Sequence, residues 1–154
     1  YRRLSRAIST AQVAGGDKGR PVYPSIEELG AAAGGHWLVL TGCSKGTVPA
    51  ALTHDDVDAA ERELRRLIDA FGRYHVVVEL TDHGRPLDSA RNDALAALAA
   101  RARVPVVATN NVHYAVPDRG RLAGALAAVR ARRSLDEIDG WLPPGHTAHL
   151  RSGA

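Results

Sequence analysis

The sequence has no methionine, one cysteine (Cys43), one phenylalanine and two lysines, and only 5% of its 154 residues are aromatic. Each shortage excludes something. A single cysteine cannot form an internal disulfide, so packing must hold the fold, and a reducing, cytoplasmic compartment is expected. The longest apolar runs are strand-length, far short of the about 20 residues that cross a bilayer. No signal peptide is visible either, so no membrane partner is expected. The chain opens on Tyr1 rather than Met, as expected of a processed or trimmed protein or a piece of a longer one. The length suits one ordinary domain with a core of its own.

Arginine and alanine are abundant: 18 Arg and 27 Ala. The net charge is +3, with an isoelectric point near 9.4. A basic balance invites nucleic acid, because phosphate contacts release counterions. Arg and Ala also share GC-rich codons, so the bias reads mainly as a habit of the source genome. Arg130, Arg132 and Arg133 are the best local argument for DNA contact. Arginines there equally offset the negative C-terminal end of a helix.

Apolar spacing predicts alternating elements. Leu4, Ala7, Ile8 and Ala11 mark a helix over 1–14, followed by a Gly-rich charged loop. Ser25 and Glu28 form a capping box for a short helix that Gly34 and Gly35 end. Residues 36–41 (HWLVLT) read as a buried strand entering the turn GCSKG. Thr53 and Asp56 read as a second capping box, for a helix with Val57, Ala60, Leu64, Leu67, Ile68 and Phe71 on one face, stopped by Gly72. Residues 74–81 (YHVVVELT) are the clearest strand. DHGRP leads to a helix over 88–103, with Ala90, Ala94, Leu95, Leu98 and Ala102 facing inward. A third strand, 105–109, runs into NNVHY. After Pro117 comes a helix with Leu122, Ala125, Leu126 and Val129 as its inner face. Ser134 and Glu137 cap a last short helix, and 143–154 reads as a loop-like tail.

Strands separated by amphipathic helices predict an α/β fold of parallel βαβ units. Continuous apolar strands predict a sheet covered on both faces. Such sheets bind ligands at the carboxyl ends of their strands. Those exits hold Cys43 after the first strand, Asp82 and His83 after the second, and Asn111 and His113 after the third. Alternate residues of an extended chain project to one side, so Asn111 and His113 can address one point. Thiolate, imidazole and amide oxygen can all bind metals, Asn more weakly than Asp. A lone Cys is more often a small core hydrophobe, and a DHG turn more often serves turn chemistry. His36, His54, His75, His146 and His149 show no ligand spacing and read as surface or loop residues. There is no dinucleotide fingerprint, P-loop, nucleophile elbow or zinc-finger spacing. Nor is there a close carboxylate pair of the two-metal polymerase kind; Asp55 and Asp56 read as capping charge.

The order YRRLSRAIS, LVLTGC, VVVELTDHGRP, VPVVATNNVHY and AHLRSG resembles the second part of the PHP domain of bacterial C-family DNA polymerases. These are the alpha subunits of DNA polymerase III and their error-prone relatives. The wording around RLSRAISTAQVAGGDKGRP and RARRSLDEIDGWL is most similar to the error-prone, damage-induced branch. The resemblance covers essentially the whole chain. It implies roughly the second half of a distorted seven-stranded β/α barrel over 1–142, with 143–154 leading toward polymerase domains. It also implies a Zn²⁺ or Mn²⁺ site to which Cys43, Asn111 and His113 correspond as ligands. The family's early His-x-His motif is not in this chain. Asn111 stands where the family has Asp, and a neutral amide cannot offset or bridge divalent cations as a carboxylate does.

Three readings follow. In the first, the chain is a piece of an error-prone DNA polymerase whose Mg²⁺-binding carboxylates lie beyond Ala154. The parent acts on DNA and deoxynucleoside triphosphates, and this piece has no catalytic or cofactor-binding residue of its own. In the second, the segment is a scaffold for the polymerase core of the same parent. In the third, it is a metal-dependent 3′–5′ exonuclease or phosphoesterase, within the parent or free-standing. A partial barrel exposes sheet edges, so self-association of the isolated chain is expected.

Overall fold

Val76, Val77 and Val78 set the middle of the fold, because β-branched side chains suit a pleated surface buried on both sides. All three are buried. The structure, a computed structural model, describes residues 1–16, 19–53, 56–138 and 147–151. Among them the helices are α1 (Arg2–Ala14), α2 (Ile26–Ala33), α3 (Thr47–Thr53), α4 (Val57–Phe71), α5 (Asp88–Ala102) and α6 (Gly120–Ala131). The strands are β1 (Val39–Leu40), β2 (Val76–Thr81) and β3 (Val106–Thr109). They form a parallel three-stranded sheet in the order β1-β2-β3. β2 is central, paired from Val39↔Val76 on one side and through Thr81↔Thr109 on the other.

The core lies where α3, α4 and α5 cover β2. Val76 and Val78 cluster there with Val48, Leu64, Leu67, Leu95 and Leu98. Burying each large aliphatic side chain contributes about 1.5–3 kcal/mol. α2 packs beside α4, and Gly30 permits the approach: a Cβ there would lie 2.2 Å from the Ala70 carbonyl oxygen. Arg66 on α4 pairs with Glu27 on α2 at 2.9 Å and draws that exposed carboxyl down to about 2.

The capping boxes at Ser25–Glu28 and Ser134–Glu137 form as expected, the second on a short 3₁₀ turn over Leu135–Glu137. The one expected at Thr53 and Asp56 does not. Thr53 ends α3, and Asp56 is itself the N-cap of α4, accepting from the Ala59 N–H at 2.7 Å. α3 was not expected. Pro49 sits in the first helical turn, where its missing N–H costs nothing. The strand expected over 36–41 shrinks to two residues. Leu38 and Leu40 are 66% and 40% exposed, and Val106 and Val107 of β3 are 48% and 37%. The sheet is therefore covered only around β2, not along both faces.

α6 turns the opposite way from its expected orientation. Leu122, Leu126 and Val129 point outward, at 51%, 60% and 75% exposure, while Gly120, Gly124 and Ala128 are the buried stripe. Small residues four apart allow close backbone approach, and the large aliphatic residues are left on the outside.

Gly30→Ala is expected to destabilise by about 1–3 kcal/mol, the usual range for overpacking, with an unchanged denaturant slope in urea unfolding. The outward α6 stripe is expected to drive self-association of the isolated chain. Sedimentation velocity should show dimers or larger species that Leu126→Lys diminishes.

Candidate functional site at the strand exits

Parallel strands place their carboxyl ends on one edge of the sheet. Cys43, His83 and the pair Asn111 and His113 therefore come to the same edge, as their positions in the sequence suggest. They do not all meet. Cys43 follows β1 and Asn111 follows β3, with β2 between, so their strands lie about 10 Å apart at the usual strand spacing. Among the described residues, no three His, Cys, Asp or Glu side chains gather so as to hold a metal.

Cys43 is half-buried in a tight turn in which the Gly46 N–H donates to the Cys43 carbonyl at 2.8 Å. Gly46 is required there, since a Cβ would fall 2.0 Å from the Thr41 carbonyl oxygen. Asn111 is half-buried and adopts a left-handed backbone, φ 40°, a conformation Asn tolerates better than most residues. Its N–H reaches Thr109 Oγ1 at 3.4 Å. The Thr109 hydroxyl in turn donates to the Glu79 carboxylate. Register places Glu79, Thr81 and Thr109 on one sheet face, so the face opposite the core turns polar toward the exits. His113 is exposed.

The exit of β2 is the best ordered. Asp82 Oδ1 accepts from the Gly84 N–H at 2.8 Å, closing an Asx turn. Asp88, only 2% exposed, accepts from the His83 N–H at 2.8 Å, the Arg85 N–H at 3.1 Å and Arg91 at 2.6 Å. Burial alone would push the Asp88 carboxyl up; these donors outweigh it and hold it below its ordinary value. Burial also lowers the His83 imidazole, against the pull of Asp88, and the positive charges of Arg151, Arg85 and His113 add to the lowering. His83 and His113 are thus near enough to feel each other, and Cys43 stands apart.

Sequence reasoning missed Asp88, Thr109, Asn110 and Thr147. Residues 147–151, expected as part of a loop-like tail, run back to the exits of β2 and β3. Tyr114 bridges to His149, and Thr147 reaches His83. His149, expected as a surface or loop residue, is half-buried and stacks on Tyr114. His54 and His146, and the 142/143 boundary, lie outside the described residues. The Asn doublet in NNVHY, and an Asp opening a helix after DHGRP, were the available signals.

The chain is similar to known proteins along its whole length. It matches the PHP domain family over residues 1–83. It is 56% identical over 154 residues to an error-prone DNA polymerase of Mycolicibacterium paratuberculosis, covering 100% of this chain and 14% of that protein. The error-prone DNA polymerase of Cutibacterium acnes is 57% identical over 155 residues, again with 100% and 14% coverage. That of Corynebacterium jeikeium is 39% identical over 153 residues, with 99% and 12% coverage. The chain thus spans about one-seventh of the length of these relatives.

Acid should weaken the fold through both buried groups at the β2 exit. The unfolded chain takes up a proton at His83 near 6.5 and at Asp88 near 3.8, in each case before the folded chain does. Stability is therefore full above pH 6.5, declines below it, and declines again below 3.8 as Asp88 protonates. Urea unfolding across pH should show both windows. Asp88→Asn should flatten the lower one, and Asp88→Ala should cost about 3 kcal/mol at neutral pH by stranding Arg91.

Proposed function

The chain belongs to the PHP-domain family, and on that premise we propose that it is one segment of an error-prone DNA polymerase, with a structural role in that enzyme. The observation that carries this reading is end-to-end identity of 56% to proteins bearing that name. The fold belongs to the same reading. Three parallel strands with helices over one face are what roughly the second half of a seven-stranded β/α barrel would contribute, and the exposed β1 and β3 are the edges other strands would meet. Residues 1–142 form the barrel portion, and the chain after them leads toward the polymerase core. The parent acts in the cytoplasm in damage-tolerant DNA synthesis, on DNA and deoxynucleoside triphosphates.

Nucleotide addition needs paired carboxylates to hold two Mg²⁺ ions. The described acids at the exits are otherwise engaged. Asp88 is saturated by three donors, Asp82 closes a turn, and Glu79 binds Thr109. We therefore put the Mg²⁺ site of the parent outside this segment.

A Zn²⁺ or Mn²⁺ centre does not fit the described residues alone. The thiol lies two strands from the His, and the residue paired with His113 is a neutral amide. We assign Cys43, Asn111 and His113 as the remnant of a metal site whose other ligands would come from elsewhere in the parent, and no chemical step is derived from it.

The isolated chain is expected to give no primer extension with Mg²⁺ and all four deoxynucleoside triphosphates; robust incorporation would overturn the assignment. Metal analysis of the full-length parent is expected to show no stoichiometric Zn or Mn. Metal that is present and lost on Cys43→Ser or His113→Ala, together with 3′–5′ exonuclease activity, would instead favour a proofreading phosphoesterase.

A further inference from the structure

Residues 147–151 return across more than 30 positions of chain to grip the loop that follows β3. The Asn110 carboxamide donates to the Thr147 carbonyl at 2.8 Å and also to the His149 carbonyl. The His113 and Tyr114 N–H groups both reach the Ala148 carbonyl, at 2.8 and 3.3 Å, and the Leu150 N–H returns to Tyr114 at 3.2 Å. Ala148 is fully buried, and the Tyr114 and His149 rings stack with centroids 6.5 Å apart. The backbone pairing is a single bridge rather than a ladder. One side chain, Asn110, holds the carbonyls on both sides of Ala148.

The same segment acts on the β2 exit. Thr147 has one hydroxyl proton, and its oxygen lies 3.5 Å from the His83 carbonyl and 3.1 Å from His83 Nδ1. Nδ1 either accepts from this hydroxyl or donates to its oxygen, and donation is favoured because it leaves a bare lone pair rather than an orphaned N–H on the buried Nε2. The hydrogen bond at one ring nitrogen decides where the imidazole proton sits. His83 is then neutral with a bare lone pair on Nε2. That atom is sealed from solvent and has no hydrogen-bond partner among the described residues, an arrangement that costs stability unless something else uses it.

We propose that residues 147–151 are a clasp that sets the exit site. Asn110 is its latch, and Thr147 is the residue that fixes the His83 tautomer. The backbone of His113 and the accepting nitrogen of His83 then depend on a segment at the far end of the chain, so a pull or a contact beyond residue 151 is felt at the exits. Asn110 and Thr147 are positioning residues: each acts through another group. The inference rests on the strand exits being the site, and not on any metal being bound there, so the metal and primer-extension results leave its test untouched.

The test uses the 154-residue chain labelled with ¹⁵N. Long-range ¹H–¹⁵N spectra are expected to show His83 as the Nδ1–H tautomer. Thr147→Val should release it toward Nε2–H, while Thr147→Ser, which keeps the hydroxyl, should not. Asn110→Ala should speed hydrogen exchange at the His113, Tyr114 and Leu150 amides by about ten-fold or more, the effect of losing about 1.4 kcal/mol of local protection. The core amides of Val78 and Leu95 should be unchanged. An Nε2–H tautomer in the unmodified chain would overturn the Thr147 assignment. Unchanged exchange in Asn110→Ala, or an equal rise at the core amides, would overturn the latch.

Discussion

The buried carboxylate of Asp88 is the constraint on which the exit edge of the sheet depends. It opens α5, where a negative charge suits the helix N-terminus, and it gathers the backbone of the preceding turn at His83 and Arg85. Arg91, one turn along, returns to it and also donates to the Thr81 carbonyl at 3.3 Å. The last residue of β2, the turn and the first turn of α5 are thereby one unit. β2 is the strand on which both others pair, so the position of that unit sets where the exits of β1 and β3 stand relative to it.

From that edge the molecule divides into two unlike faces. On one, α3, α4 and α5 bury Val76, Val78 and the leucines of the core. On the other, Glu79, Thr81 and Thr109 replace valine as the strands approach their carboxyl ends, and hydrogen bonds take over from packing. The polar end of the sheet holds Cys43, Asn111 and His113, and no ligand set for a metal gathers among the described residues. The thiol follows one edge strand, and the imidazole and its neighbouring amide follow the other. The aliphatic stripe of α6 and the valines of β3 are exposed in this chain.

Local rules were legible wherever they acted alone. Ser25 with Glu28, and Ser134 with Glu137, announce helix starts because the reciprocal bonds span only three residues. The valines of β2 announce a buried strand because no other element tolerates so many β-branched residues in a row so well. Thr53 and Asp56 misled because two capping signals stood close together, and the later one won. α6 misled for a different reason. Its periodicity shows two stripes, one large and one small, and apolar burial by area favours the large one inward. In the structure the small stripe, Gly120, Gly124 and Ala128, is the buried one.

Composition and pattern by themselves determined an α/β chain of parallel units, without disulfide staples, with candidate groups at each strand exit and a family likeness carried by VELTDHGRP and VPVVATNNVHY. Those features depend on neighbours along the chain, so they can be read there. Tertiary structure alone decided which groups meet. It brought Thr147 to His83 and Asn110 to the carbonyls of residues 147 and 149, and it kept Cys43 and His113 on opposite sides of β2. Such pairings join residues tens of positions apart, and the energy that selects them comes from burial and hydrogen bonding that no local spacing records.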